Sequence, residues 1–271
     1  YSNMKLLTLI EIEVKKIIPW LISLFTLMTV LTGSLFFKEI SDLKKKLIPT
    51  LLDSSIDDYV QNNGHVTLAS ILDNQILIIG IFILFAIIII CLGLYLWYKE
   101  WIGSSKRIYM LLSLKGQRTS ILLSKLIVII LSVFVYYAIV LLNLGIGSLL
   151  LNTLLPDGLT GKHLVQGALL QSQFINFVLP LTMTDFIYKL LFVILMFGLI
   201  SVFVLSDRSK RIFGIIFGIF YGIANIAVFL YTKSLFLFVD ERFFVNFGFV
   251  LIGTVLSYGI STWLLNKKVS I

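Results

Sequence analysis

The 271-residue chain is 59% hydrophobic and only 13% charged, with a mean hydropathy of +1.03. A soluble domain is about 45–50% apolar and about 25% charged, so this excess exceeds one water-soluble core and needs the bilayer as a second apolar solvent. The net charge is +8; with no soluble basic domain to carry it, nucleic acid is excluded as a partner, and the basic residues are left to orient loops and meet anionic lipid.

Crossing about 30 Å of hydrocarbon takes about 20 apolar residues in a helix. A membrane β-barrel would show short alternating segments, whereas the apolar runs here are long and unbroken. The single cysteine, Cys91, lies inside such a run and excludes an intrachain disulfide or a cysteine-based metal site. Tyr1-Ser2-Asn3 ahead of Met4 reads as a protease-site remnant, with Met4 the expected natural start, and no cleavable signal peptide is evident.

Residues Lys5 to Ile18 read as an amphipathic helix lying in the membrane interface. Leu6, Leu7, Ile10, Val14, Ile17 and Ile18 share one face, while Glu11, Glu13, Lys15 and Lys16 lie mostly on the other. Pro19 marks the turn into a first span at about 20–37, with Trp20 as interface anchor. A polar stretch follows from Lys38 to about Gln75, helical at first. The second span, 76–98, carries no charge. A compact basic segment, 99–120, leads to the third span at about 121–147.

Residues Ser148 to Phe186 are nearly uncharged but broken by Pro156, Gly158, Gly161 and Pro180. They read as short interfacial or re-entrant helices rather than another span. The fourth span is about 188–205, and a tight basic turn follows with Asp207, Arg208, Lys210 and Arg211. The fifth and sixth spans are about 212–232 and 243–265. The expected architecture is thus an all-α membrane protein. It has an amphipathic elbow helix (1–18 with the remnant) and one six-helix transmembrane domain (19–271).

Charge sets the expected orientation. The N-terminus, the 99–125 segment, the 206–211 turn and the tail hold 14 Lys and Arg against 4 Asp and Glu; the remaining loops hold 8 against 10. The basic excess marks the cytoplasmic side, so both termini are expected inside.

The spans show almost no ionisable residue; Lys125 and Lys189 sit at span ends, where their ammonium groups are expected to snorkel. The polar groups at membrane depth are amides and hydroxyls such as Asn143, Asn225 and Asn246. His65 and His163 lie far apart in polar stretches, and no His, Cys or carboxylate cluster has metal-ligand spacing. Neither a G-x-S-x-G elbow nor a P-loop occurs, so the chain is expected to be no enzyme, with no catalytic residue, cofactor or metal of its own.

Gly214, Gly218 and Gly222 stack on one face of the fifth span, where another helix can approach closely. That helix belongs either to the same chain or to a second subunit. Trp97, Tyr98 and Trp101 cluster at the end of the second span as belt anchors. The segment beyond them is half apolar. Ile108, Tyr109, Leu111, Leu112 and Leu114 do not suit a solvated loop, and Gly103-Ser104 and Gly116 bracket a short helix. A cytoplasmic knuckle with an apolar face suggests docking onto a soluble partner; the alternative is an interfacial helix resting on lipid.

The run E-W-x-G-S-S-K-R-I-Y-x-L-L-S-L, from Glu100 to Leu114, resembles the permease subunits of type-2 ABC exporters, the ABC-2 membrane family of Gram-positive bacteria. In topology the resemblance covers the whole chain; in motif it covers about 99–125. It implies an elbow helix before six spans, and a coupling helix between the second and third spans that contacts a separate P-loop ATPase. Carried over, Glu100, Trp101, Arg107, Ile108, Leu111 and Leu112 would lie at or near that contact. ATP and Mg would be bound by the ATPase, and a second permease, identical or homologous, would complete the exporter in the bacterial cell membrane. The sparse charge suits a hydrophobic or amphipathic peptide or another amphiphile as cargo. The long segment between the third and fourth spans departs from the family's pattern. The competing readings are a membrane enzyme and a membrane-anchored sensor or interaction protein without transport.

Overall fold

The computed structural model describes residues 2–53, 56–102, 118–156, 158–210, 212–235 and 238–267. Among them the chain is helical, and the one β feature is an isolated parallel bridge between Val66 and Thr160. The helices are α1 (Ser2–Asp53), α2 (Ile56–Asn63), α3 (Leu68–Asn74), α4 (Ile76–Ile102) and α5 (Thr119–Leu154), then α6 (Leu164–Gln171), α7 (Gln173–Val178), α8 (Met183–Lys210), α9 (Ile212–Ser234) and α10 (Val239–Lys267). Six of them, α1, α4, α5, α8, α9 and α10, are long and apolar enough to cross a membrane.

Two expectations about the first helix change, and the one for 148–186 holds. The elbow does not stand apart as its own helix. α1 is a single helix of 52 residues with Pro19 and Pro49 inside it. Proline removes one backbone donor and crowds the preceding turn. Burial of Ile17, Phe25 and Met28 on either side holds the helix together through that defect. Its inner face also differs from the wheel: Glu13 is buried, whereas Leu7 and Ile18 are exposed. In the ambiguous stretch, α6 and α7 have 8 and 6 residues. Neither can cross a bilayer, so that stretch adds no span.

The chain divides into two compact units. The first comprises Tyr1–Ile18, Ile88–Ser132 and Met183–Ile271. Here α8 packs against both α9 and α10. Small residues permit the approach: a methyl on Gly198 would meet the Ser257 Cβ at 2.8 Å, and one on Gly253 would meet Leu195 at 3.0 Å. Leu195, Phe197, Val202, Leu205, Val250 and Leu265 fill the interior. The outer face of α9, with Phe213, Phe220 and Ile226, is exposed and apolar, as a lipid-facing helix requires.

The second unit comprises Pro19–Ile87 and Val133–Thr182. Its core is built from Phe36, Ile40, Leu68, Leu72, Phe82, Leu144 and Ile175. Two buried polar contacts tie its long helices: Thr32 Oγ1 lies 2.8 Å from Asn143 Oδ1, and Tyr136 donates to the Phe82 carbonyl at 2.9 Å. Asp73 anchors α7. Its carboxylate accepts from the Ser172 hydroxyl at 2.7 Å and from the Gln173 and Phe174 amides at 3.1 and 3.3 Å. Those amides belong to the first turn of α7, which has no intrahelical partners for them.

Candidate functional site

The most unusual chemistry lies in the first unit, where four charged side chains meet out of water. Glu13 and Lys16 come from α1, one turn apart; Glu100 comes from the last turn of α4, and Lys125 from the second turn of α5. Lys125 Nζ lies 3.1 Å from Glu13 Oε1 and 3.0 Å from Glu100 Oε2. Lys16 Nζ lies 3.1 Å from Glu13 Oε2 and 3.2 Å from Glu100 Oε1. Each carboxylate therefore bridges both ammonium groups, one oxygen to each, and the ring closes as an alternating square of zero net charge.

Glu13, Glu100 and Lys125 are 3%, 1% and 0% exposed. Burial of an ion is costly unless it is paired and hydrogen-bonded, and this square meets much of that demand. Lys125 donates to Glu13 and to the Leu96 carbonyl at 3.0 Å. Its contact with Glu100 Oε2 is an ion pair without hydrogen-bond alignment. The Lys125 ammonium also sits 5.2 Å from the centre of the Trp97 ring, a cation–π contact. The expectation that Lys125 snorkels to the interface is thus overturned. Two carboxylates and a backbone carbonyl are within its reach inside the protein, so its charge is met there.

Trp97 is fully buried, and its indole donates to Ser201 Oγ of α8 at 3.0 Å. It is a core residue and no belt anchor. One residue on, Tyr98 donates to Asp207 Oδ2 at 3.3 Å, and the Arg208 guanidinium lies 5.6 Å from the centres of both the Tyr98 and Trp101 rings. At the start of α5, Arg118 donates to the Leu265 carbonyl in the last turns of α10 at 2.9 Å. The ends of α1, α4, α5, α8 and α10 are therefore cross-tied by charged and aromatic side chains around the two ends of the 103–117 segment.

Of the residues expected at a partner contact, Glu100 is a corner of the square and Trp101 is half-buried beside Arg208. Arg107, Ile108, Leu111 and Leu112 lie outside the described residues. The glycines of α9 divide. A methyl on Gly214 would overlap the Ser206 carbonyl, and one on Gly218 would meet Ser206 Oγ at 2.8 Å, so both pack within the chain against α8. Gly222 faces open space. The amides pair locally: Asn246 Oδ1 accepts from Thr232 at 3.0 Å, and Asn225 donates to the Tyr221 carbonyl. Lys189 pairs with Asp185 one turn earlier at 3.3 Å. Among the described residues no group of three or more His, Cys, Asp or Glu could hold a metal ion.

Sequence reasoning missed the square. A signal was present: Lys125 stands among Ile121, Leu122, Leu123, Leu126 and Ile127. An ionisable residue in such a setting demands a named partner. Those partners lie 112 and 25 positions away in sequence, which a helical wheel cannot show.

The fold and this site define a multi-pass α-helical membrane protein with six candidate spans and a buried charge cluster. Against protein-family profiles, curated proteins and solved structures, the chain gives no match.

Proposed function

We propose that the chain is the membrane-spanning subunit of an ATP-driven exporter of the ABC-2 type. It has no nucleotide-binding motif and works with a separate P-loop ATPase that binds ATP and Mg, and with a second permease, identical or homologous. The termini and the 99–120 segment face the cytoplasm, the ATPase docks on that segment, and the cargo is a hydrophobic or amphipathic peptide or similar amphiphile in the bacterial cell membrane. One observation carries the reading: the segment that resembles a coupling helix is bracketed by fixed ends. Glu100 ties its start into the charge square, and Arg118 ties its end to α10. A displacement of such a segment reaches α1, α4, α5 and α10 together, because stiff buried contacts leave little slack.

Glu100 faces inward at 1% exposure. Its part in coupling is therefore positional, through the square, whereas contact with the ATPase falls to the apolar residues Ile108, Leu111 and Leu112. ATP-driven closure of an ATPase pair shifts the spans only as far as the two states differ in that contact.

Affinity purification of the full chain from its native membrane tests the proposal. Stoichiometric recovery of one P-loop ATPase is expected, with ATP hydrolysis raised by an amphipathic peptide. Good expression with no ATPase recovered sinks the exporter reading. A flat response across a peptide panel sinks the cargo class alone.

A further inference from the structure

The two histidines stand alone in sequence, yet the second unit brings them to one place. Val66 N donates to the Leu159 carbonyl at 2.9 Å, and Val66 pairs with Thr160 in the parallel bridge. This lays His65 beside the following loop, so that a methyl on Gly161 would sit 3.7 Å from the His65 Cβ. Around them opens a cleft of about 660 Å3, whose polar lining is His65, Asn152, Thr160, Lys162 and His163. That volume falls within the ~300–1,000 Å3 of small-molecule sites.

The lining is rich in donors. Lys162 brings three N–H groups and a fixed positive charge, Asn152 and Thr160 bring an amide and a hydroxyl, and each imidazole brings at least one N–H. Among the described residues no carboxylate lines the cleft and none is ion-paired with Lys162; Asp157 lies outside the described residues. The amino end of α6 opens on the same place through Leu164. The first amide paired along α6 is that of Gly167, to the His163 carbonyl, and the His163 side chain caps none of the amides before it. His163 is held at φ 63, in the left-handed region that a non-glycine residue enters only at a cost. A divalent metal is disfavoured, since an ammonium shares the cleft and, among the described residues, no third ligand of metal-binding type joins the imidazoles.

We infer that this cleft binds a phosphate ester. A lysine, two imidazoles and the first amides of α6, for which no partner occurs among the described residues, match phosphate oxygens in charge and in donor count. The volume exceeds that of one phosphate and leaves room for an attached glycerol- or sugar-sized group. The ester is either the headgroup of an anionic lipid or a small soluble molecule. The inference uses residues 65, 66, 152, 158–164 and 167 and does not rest on the exporter reading.

The test uses the full chain with two probes. Glycerol 3-phosphate is titrated calorimetrically against the detergent-solubilised protein. Retention of phosphatidylglycerol over phosphatidylcholine is read by native mass spectrometry from mixed nanodiscs. The variants are Lys162→Gln and His163→Asn, both at exposed positions, with asparagine chosen because it tolerates the left-handed backbone. Lys44→Gln, at an exposed position outside the cleft, is the control. Each cleft variant is expected to weaken binding roughly tenfold, the usual loss of one charge-assisted contact, and the control to leave it unchanged. A loss seen with glycerol 3-phosphate assigns a soluble ester; a loss seen only with phosphatidylglycerol assigns a lipid headgroup. Failure of both probes to bind, or binding that the cleft variants leave intact, overturns the inference.

Discussion

Replacing Lys125 by methionine keeps the length and bulk of the side chain but removes one of the two positive corners of the square. With the ammonium go two ion pairs at 3.1 and 3.0 Å, one hydrogen bond to the Leu96 carbonyl, and the cation–π interaction with Trp97. At an effective dielectric of about 20, each ion pair is worth about 5 kcal/mol of Coulomb energy. Much of that only offsets the desolvation of the ammonium. What the variant leaves behind decides the outcome: Glu13 and Glu100, 3% and 1% exposed, share Lys16 alone and carry a net charge of −1. Breaking a buried pair in this way costs about 3–5 kcal/mol. For a chain of this size that corresponds to an apparent melting temperature lower by roughly 10 °C.

Intrinsic tryptophan fluorescence in detergent reads the effect directly, since the Trp97 ring faces Lys125. A second variant fixes the cause. Adding Glu100→Gln to Lys125→Met restores neutrality and leaves Glu13 paired with Lys16 at 3.1 Å. The double variant is therefore expected to melt above the Lys125→Met single variant, with a strong favourable coupling in the double-mutant cycle. Two results refute the reasoning. One is a Lys125→Met protein that melts with the wild type. The other is a double variant whose loss equals the sum of its two singles.

The glycines of α9 are expected to rank by the space beside them. Gly214→Ala overlaps the Ser206 carbonyl and costs about 1–3 kcal/mol, whereas Gly222→Ala meets nothing and gains a few tenths from helix propensity; melting curves give the order. Asp73→Ala removes the acceptor for two first-turn amides of α7. The loss is about 1 kcal/mol, local to that helix, and hydrogen exchange is expected to speed up at 173–178 while the α8–α10 bundle stays protected. Tyr136→Phe deletes the buried hydrogen bond to the Phe82 carbonyl and is expected to cost about 0.6–1.5 kcal/mol by thermal unfolding.

The long helices were legible because the bilayer demands them. An unbroken run such as 76–98 has no other stable form, and the structure extends it only by a turn to Ile102. The same reasoning stopped the first helix at Pro19, where local chemistry favours a break. The helix continues because burial on both sides offsets one missing hydrogen bond, while the boundary between the two compact units still falls at Ile18 and Pro19. The sequence signal there was real but marked a division between packing units rather than an end of helix. The charge square was illegible for a different reason. Periodicity assigns a charged residue to the polar face by default, and that default fails when the opposite charge arrives from another helix. Glu13 is ordinary alone on its helix, Lys125 stands out among apolar neighbours without showing which residue meets it, and only pairing across 112 positions makes their burial tolerable. The histidines follow the same logic, since a single bridge at Val66 and Thr160 joins two stretches that share no local pattern. In a chain with so few charges, each one that the fold withdraws from water needs a partner from elsewhere in the sequence. The positions of Lys125 and Glu100 at neighbouring span ends were the place to look for one.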